Sequence, residues 1–420
     1  MTVVLDGRKA DPVVSELEKQ LLSRYAPPRI KRDAHPKMHG CVQAEFIVDE
    51  VVDPAFRHGV LETPGAAYSA WVRFSNAFRI QHDLEAETRG MGIKLLRVTG
   101  DRLDDAEVYP DGCVTQDFLC ATHDAFFLPN SLDYVAFTKA TEDPPKVVWF
   151  YLKRIRRLWR GAIALLRGAI VLARSPLAIP YYSQTPYQLG QTIVKLQIKP
   201  VMTPELKRSL PSRFWFAIKV RAASTILTLF EVQWVRRVAQ AVGLPGTKED
   251  VEDFCDRHLA PRDLLRRALM SHLADHDAMF DVQVQPFVND RATPVEDATR
   301  RWKQRVSRFH HVATIRIPRQ VFWPEPGMPA DLAKATKTMV DLGENMSFNP
   351  WHGLKAHEPL GPINETRRVV YRAISTFRRD MNNVGQNIVE QQTCLYDKLR
   401  EVVQGGRFDP RSDDRPDSDQ

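Results

Sequence analysis

The sequence is poor in the features that define several large classes of protein. Its 420 residues include five cysteines, an odd number at irregular intervals, which suits neither a disulfide framework nor a zinc cluster. It has no glycine-rich phosphate loop, no internal repeat and no apolar run long enough to span a bilayer. The first residues contain too few consecutive apolar side chains for a secretory signal. We therefore expect a cytoplasmic protein whose thiols are reduced. If it contacts a membrane, we expect the contact at the inner face.

Acidic residues are missing from one long segment. Between Pro144 and Thr203 there is no Asp or Glu, whereas ten Lys and Arg residues lie there. Because ten exceeds the net charge of +7, the rest of the chain is net acidic. The basic charge therefore belongs to one segment, and a general affinity for nucleic acid is not expected.

Alternating apolar and polar residues predict short strands that are separated by turns rather than by helices, which indicates antiparallel pairing. Helical patterns are concentrated after Thr247 and after Ala330. The predicted strands lie at 40–48, 68–75, 91–98, 279–288 and 310–317. Residues 1–27 are assigned to an N-terminal helical arm. Residues 405–420 are assigned to a disordered tail, because their Gly, Pro, Ser and Asp content is typical of unfolded ends.

Residues 148–174 predict one amphipathic helix. Its basic face has Lys153, Arg156, Arg157, Arg160, Arg167 and Arg174, and its apolar face has Ile155, Leu158, Ala162, Leu165, Leu166, Ala169 and Ala173. Two interpretations stay open: the apolar face packs on the protein or on a partner subunit of a homo-oligomer, or the helix lies on an anionic membrane surface. A second apolar and basic stretch, at 213–237, favours the membrane.

A tyrosine near the C-terminus, Tyr371, follows Arg367 by four residues. On a helix this spacing places the guanidinium and the phenol on one face, where a permanent cation lowers the pKa of the phenol. A phenolate that faces a pocket is a candidate iron ligand. We expect its helix to start after Pro362, with Asn364 as the N-cap and Glu365 in the first turn.

Further motifs precede this helix in a fixed order. They are Arg32-Asp-Ala-His35, the strand that ends in Arg73-Phe-Ser75, Gln116 through Phe127, and Asn349 through Gly361. With Tyr371 they resemble the haem-containing catalase family, and more narrowly the catalase-related bacterial peroxidases, over roughly 28–140, 178–200 and 278–382. The resemblance implies an α+β fold: an antiparallel β-barrel with surrounding helices and a C-terminal haem-ligand helix. Residues 28–404 then form a catalase-like haem domain, with a basic amphipathic insertion at about 144–245.

The resemblance also implies a haem b cofactor and roles for the residues around it. Tyr371 is the expected iron ligand, kept ionised by Arg367, and His35 is the expected distal acid/base, oriented by Ser75. Four more residues are expected to bind the cofactor. Arg32 and Arg73 would hold the haem propionates, and Phe126 and Phe127 would make apolar contacts.

One stretch departs from the family pattern. True catalases have a distal asparagine shortly before the Phe-Phe pair, whereas this chain has Ala121-Thr122-His123-Asp124 there. The third expected catalytic residue, after His35 and Ser75, is therefore Thr122, which offers only a hydroxyl. Efficient disproportionation of hydrogen peroxide is therefore not expected. We expect a hydroperoxidase that reduces or rearranges organic or lipid hydroperoxides, with an electron donor that the sequence does not identify. The alternatives are a weak true catalase, a haem-binding protein without turnover, and a membrane-surface scaffold without haem.

Overall fold

A closed barrel of antiparallel strands forms the centre of the protein. The computed structural model describes residues 7–77, 80–85, 87–140, 144–169, 171, 173–231, 248–384 and 388–405. The strands in these ranges are β1 (Met38–Val48), β2 (Ala67–Asn76), β3 (Arg89–Val98), β4 (Val114–Ala121), β5 (Tyr181–Tyr182), β6 (Tyr187–Leu189), β7 (Thr192–Pro200), β8 (Ala278–Pro286) and β9 (His310–Ile317).

Eight of these strands form a ring in the order β5-β4-β3-β2-β1-β9-β8-β7, in which all neighbours pair antiparallel. The ring is closed by Tyr181 and Tyr182 of β5, which pair with Ile198 and Gln197 of β7. Strand β6 forms a short hairpin with β7. A closed barrel satisfies the backbone groups that an open sheet leaves at its edges. The predicted α+β fold with an antiparallel β-barrel is confirmed.

Both faces of the central strands are buried. Inside the barrel, Phe46 of β1 stacks on Phe118 of β4 with ring centroids 6.5 Å apart. On the outer face, Trp71 of β2 meets the ring of Tyr396 edge-on at 5.5 Å. Side chains alternate between the two faces of a strand, so one strand serves both an aromatic interior and a layer of helices outside.

Helices cover the barrel and connect its strands. They are α1 (Gly7–Arg24), α2 (Ser131–Ala140), α3 (Pro144–Lys153), α4 (Ile155–Ala169), α5 (Pro204–Ser209), α6 (Arg213–Glu231), α7 (Lys248–His258), α8 (Leu264–Leu273), α9 (Ala330–Asn345), α10 (Pro362–Met381) and α11 (Ile388–Gly405). Helix α10 contains Tyr371, and helix α1 packs along it.

Helix α10 begins one turn earlier than the sequence predicts. Gly361 precedes its first residue, Pro362, whose missing N–H costs nothing at this position. Asn364 is therefore inside the first turn, and its expected role as the N-cap is wrong. Its side chain instead accepts a hydrogen bond from Thr185 Oγ1 at 3.1 Å and donates to the carbonyl of Leu360 at 3.0 Å.

The single helix predicted at 148–174 is wrong, because the structure has α3 and α4 there. The helical ladder is interrupted at Arg154, whose N–H bonds to the carbonyl of Tyr151 in a tighter turn. Helix α4 ends at Ala169, before Ser175, which the following Pro176 restricts to an extended conformation. The predicted apolar face is also divided, because Leu158 is buried whereas residues such as Ile155 are exposed.

All five predicted strands are confirmed within two residues at their ends, whereas β4, β5, β6 and β7 were not predicted. The domain boundaries at 27 and 404 stay predictions. Residues 1–6, the part of the second basic stretch after residue 231, and all of the predicted tail except Gly405 lie outside the described residues. Within the described ranges, no helix is long and apolar enough to cross a membrane.

Candidate functional site

Two adjoining cavities lie between the barrel and helix α10. The arginine cavity, named for Arg32, Arg73 and Arg378 in its wall, contains about 780 Å³ of space. The phenylalanine cavity, named for Phe126 and Phe127, contains about 1050 Å³, and both volumes include the open mouth. The residues that line both cavities are Asp33, Ala34, His35, Tyr134 and Tyr371.

His35 lies in the loop before β1, in a backbone conformation that is rare for a non-glycine residue. Its φ angle is +63°, in the left-handed region. The His35 N–H donates to the carbonyl of Ala77 at 2.8 Å, and Arg73 Nη2 donates to the His35 carbonyl at 3.1 Å. The ring Nδ1 lies 3.0 Å from Ser75 Oγ. The structure thus brings His35 and Ser75 into the expected contact.

Gly90 of β3 makes room for the His35 ring. A Cβ atom at position 90 would lie 2.3 Å from both Cε1 and Nδ1 of that ring. Burial, together with the nearby positive charges of Arg73 and Arg367, lowers the pKa of His35 to about 3. The imidazole is therefore neutral near pH 7 and can accept a proton.

The carboxyl end of helix α9 positions the arginines of the arginine cavity. Arg32 Nη1 and Arg73 Nε donate to the carbonyl of Gly343 at 3.0 and 3.1 Å. Arg378 Nη2 donates to the carbonyl of Met346 at 3.3 Å. The last carbonyl groups of a helix have no partner within the helix and attract cations, so this end of α9 fixes three guanidinium groups side by side.

Positive charge exceeds negative charge in this cluster. The carboxylate of Glu344 lies 3.8 Å from Arg32 and 4.0 Å from Arg73. Burial lowers the pKa of Arg378 to about 10 and also lowers the pKa of the other two arginines. The buried Nε of Arg378 has no hydrogen-bond partner among the described residues. The wall of the arginine cavity therefore favours an anion.

Helix α10 supplies Arg367, Tyr371 and Arg378, whose spacings of four and seven residues place them on one face. Tyr371 lines both cavities. Arg367 lines the phenylalanine cavity, where its Nη1 donates to Thr185 Oγ1 at 3.3 Å and its guanidinium lies 5.1 Å from the ring centroid of Phe126. The predicted Arg367 and Tyr371 thus reach the same cavity.

Phe126 and Phe127 form an apolar wall. Their ring centroids are 4.3 Å apart, and Phe127 lies 4.8 Å from the ring of Phe137. Helix α4 packs directly on this wall, because a Cβ atom at Gly161 would lie 2.1 Å from the carbonyl oxygen of Phe127. Ala164 of the same helix lines the cavity.

Thr122 lies outside both cavities, contrary to its predicted place in the site. Its hydroxyl accepts the N–H of Arg89 at 3.2 Å, and its own N–H donates to the Arg89 carbonyl at 3.1 Å. Ala121 and His123, the residues on either side, line the phenylalanine cavity instead. The chain bends directly after β4 ends at Ala121, so the residues on either side of Thr122 face the cavity and Thr122 does not.

Several cavity residues were not predicted as site residues. The buried Nε2 of His123 has no hydrogen-bond partner among the described residues and lies 3.6 Å from Asp124 Oδ1. Asp33 lines both cavities, and burial raises its pKa to about 6. Arg378 follows Tyr371 by seven residues, a spacing in the sequence that could have identified it.

The sequence matches no family model and no curated protein. Solved structures do resemble the fold. A fungal catalase has a TM-score of 0.57 and 15% identity over 88% of this chain and 62% of that one. A bacterial catalase gives 0.55 and 14% over 92% and 64%, and catalase A from Saccharomyces cerevisiae gives 0.56 and 14% over 94% and 68%. The chain has a catalase-like fold. It spans 62% to 68% of the length of these catalases.

The cavity residues of this catalase-like fold fit a haem. Haem carries two carboxylates, which suit three clustered guanidinium groups and the unpaired Nε of Arg378. Val370 and Ile374 give the arginine cavity an apolar side for a porphyrin ring, and the phenol of Tyr371 is a suitable iron ligand. Among the described residues, no group of three or more His, Cys, Asp or Glu side chains could hold a bare metal ion.

Proposed function

We propose that this protein is a b-type haem hydroperoxidase that reduces or rearranges organic hydroperoxides, including lipid hydroperoxides. One observation carries the proposal. A neutral His35, fixed by Ser75, lines the same cavities as Tyr371. A proton acceptor, a potential iron ligand and a cationic wall for two carboxylates are the groups that such a site needs.

The residues that would hold haem come from helix α10, strand β2 and the loop before β1. Tyr371 of α10 would bind the iron, and Arg32, Arg73 and Arg378 would bind the propionates at the end of α9. A bound haem iron supplies the redox chemistry that cleaves the O–O bond. The apolar side chains of the cavity walls exclude water from the reacting atoms.

His35 moves the proton in this proposal. The ring Nδ1 is hydrogen-bonded to Ser75 Oγ, so Nε2 is the nitrogen that would take the proton of the hydroperoxide. The same Nε2 returns that proton to the oxygen that bears the alkyl group, which leaves as an alcohol; in reduction the other oxygen leaves as water with two electrons from the donor and two protons. Because the pKa of His35 is about 3, the ring begins each cycle unprotonated near pH 7.

The apolar wall favours an organic substrate over hydrogen peroxide. Phe126, Phe127 and Phe137 line the cavity beside His35, and Ala121 contributes a methyl group there. An alkyl chain gains free energy by burial against such a wall, whereas hydrogen peroxide has no apolar surface to bury. No amide is contributed by the stretch at 121–124, so the hydrogen-bond donor that the resemblance gives to true catalases is absent from it.

Turnover of haem-loaded protein tests the proposal. We expect cumene hydroperoxide to be converted to its alcohol with guaiacol as the electron donor, and oxygen release from hydrogen peroxide to be slow. Reduction consumes two electrons per hydroperoxide, whereas rearrangement needs no donor, so an assay without guaiacol separates the two. His35→Ala should keep the haem and lose about 10²–10⁴-fold in turnover. Equal turnover in the variant would contradict the proposal and favour haem binding without catalysis, and fast oxygen release would favour a catalase.

A further inference from the structure

Helices α3 and α4 carry a continuous stripe of exposed apolar side chains. Apart from the adjacent pair Val148 and Trp149, its members recur every three or four residues, which places them on one side of each helix. Between 38% and 60% of each side chain is exposed. They are Val148, Trp149, Leu152, Ile155, Trp159, Ile163 and Leu166.

The stripe is not the face by which α4 packs on the protein. That face contains Leu158, which is 1% exposed, and Gly161, which contacts the Phe127 backbone. Helix α4 thus has a buried face, a basic face and a second apolar face that is exposed in the described structure. The packing of α4 on the protein therefore does not explain why apolar side chains occur at Trp159 and Ile163.

A second exposed apolar patch begins helix α6. Phe214 and Trp215 are 68% and 63% exposed, and their rings meet edge-on at 5.5 Å. Arg174 Nη1 donates to the carbonyl of Pro211 at 2.9 Å, which joins the segment five residues after α4 to the segment three residues before Phe214. Exposed apolar patches of this kind mark interaction sites.

The charges beside the stripe are positive. Arg157 pairs with Asp133, and Arg160 lies 3.9 Å from Asp297, so these two are partly neutralised by acids of other segments. Lys153, Arg156 and Arg167 are exposed on the same helices, which contain no Asp or Glu. Three cations are thus available to an anionic partner.

We propose that α3, α4 and the start of α6 dock on the surface of an anionic lipid membrane. A second copy of this chain would place cations against cations in a symmetric interface, which is unfavourable. Anionic headgroups would neutralise Lys153, Arg156 and Arg167, and Trp149 and Trp159 suit the boundary between headgroups and acyl chains. The apolar side chains would enter the outer part of the leaflet, without spanning it.

The membrane surface would adjoin the phenylalanine cavity. Ala164, which lines that cavity, is next to Ile163 of the stripe. A hydroperoxide on an acyl chain would therefore meet the protein at the helix that forms the cavity wall. The delivery of a lipid hydroperoxide to the cavity rests on the proposed function, whereas docking itself requires no haem.

Co-sedimentation with vesicles tests the docking surface. We expect the protein to bind vesicles of phosphatidylcholine with phosphatidylserine at low salt, to bind less at high salt, and not to bind phosphatidylcholine alone. The triple variant Lys153→Glu, Arg156→Glu, Arg167→Glu should lose at least about 100-fold in affinity, since each cation near such a surface is worth roughly fivefold. Its circular dichroism should match that of the parent.

A charge-matched control is Lys303→Glu, Lys334→Glu, Lys337→Glu, which changes exposed lysines of other segments and should lose far less affinity. A second variant, Trp149→Gln with Trp159→Gln, should weaken binding at high salt as well. Failure of the parent to bind anionic vesicles at low salt would overturn the proposal. An equal loss in the control triple would also overturn it, as would a dimer in solution that the two Trp replacements dissociate. Turnover of cumene hydroperoxide, which needs no membrane, reports separately on the proposed function.

Discussion

At the scale of single residues, strain and close packing coincide at His35. A non-glycine residue at a φ of +63° is costly, and such outliers cluster at functional sites where the surroundings hold them. Here the surroundings are Ala77, Arg73 and Ser75, which bond to the backbone and ring of His35, and Gly90, which the ring covers. The position of the imidazole thus depends on the absence of a side chain at residue 90.

Gly90→Ala tests this dependence. The added methyl group would overlap the His35 ring by more than an ångström, so the ring must leave Ser75. Because Tyr371 and the arginines are untouched, we expect haem to stay bound while hydroperoxide turnover falls by about 10²-fold or more. Gly405→Ala, which adds a methyl group in open space at the end of α11, is the matched control and should leave turnover unchanged. Unaltered turnover in Gly90→Ala would contradict the assigned position of His35.

The motifs in the sequence identified the residues whose neighbours in the chain are distinctive. His35, Ser75, Arg73 and Tyr371 were found in this way and line the cavities. His123 was not predicted as a site residue, because whether its side chain faces the cavity depends on how the chain bends after β4. The sequence alone gave no means to choose between His123 and Thr122.

At the scale of elements, two helices determine the shape of the site. The carboxyl end of α9 fixes the arginines, and the packing of α4 on Phe127 closes the phenylalanine cavity. Helix α4 can approach so closely because Gly161 has no side chain. A glycine inside a helix normally lowers its stability relative to alanine, so close packing is the reason for its presence here.

Gly161→Ala should therefore destabilise the protein, although the same change stabilises most helices. The new methyl group would lie 2.1 Å from the Phe127 carbonyl oxygen, and displacement of α4 should cost about 1–3 kcal/mol. A lower midpoint of urea unfolding and faster access of solvent to the cavity are the expected results. An unchanged or higher midpoint would show that α4 does not pack on Phe127 in this way.

The strands with clear alternation were predicted, and those without it were missed. Strand β4 is almost fully buried although it contains Gln116 and Asp117. Asp117 lies 2.8 Å from Lys94 of β3, and Gln116 Oε1 accepts the N–H of Leu354. These distant partners allow polar side chains on both faces of β4, so no pattern of apolar and polar residues remains in its sequence.

At the scale of the whole molecule, buried neutral histidines couple stability to pH. Burial lowers the pKa of His39 to about 3 and that of His357 to about 4. His357 Nε2 accepts the N–H of Val60 at 3.0 Å, a role that requires the neutral ring. In the unfolded chain both histidines regain an ordinary pKa near 6.5.

Stability should therefore fall as pH falls below about 6.5. There the unfolded chain binds protons that the folded protein does not take up until about pH 3–4, so acid favours unfolding. His39, His357 and His35, whose pKa burial also lowers to about 3, together contribute up to about 4 kcal/mol per pH unit, and the raised pKa of Asp33 offsets part of this slope. Urea midpoints at pH 7, 6 and 5.5 measure the slope, and His357→Gln should reduce it by up to about 1.4 kcal/mol per pH unit. A midpoint that is constant across this range would contradict the burial of these rings as neutral groups.

The central claim is that Tyr371 is the iron ligand of a haem held in the two cavities. Its most direct test is the absorption spectrum of protein titrated with haemin. We predict saturation at one haem per chain, with the Soret band of high-spin ferric haem bound through tyrosinate, and loss or gross change of that band in Tyr371→Phe. Tyr134→Phe, which removes a different hydroxyl from both cavities, should keep it. No saturable band in the parent, or an identical spectrum in Tyr371→Phe, would contradict the claim.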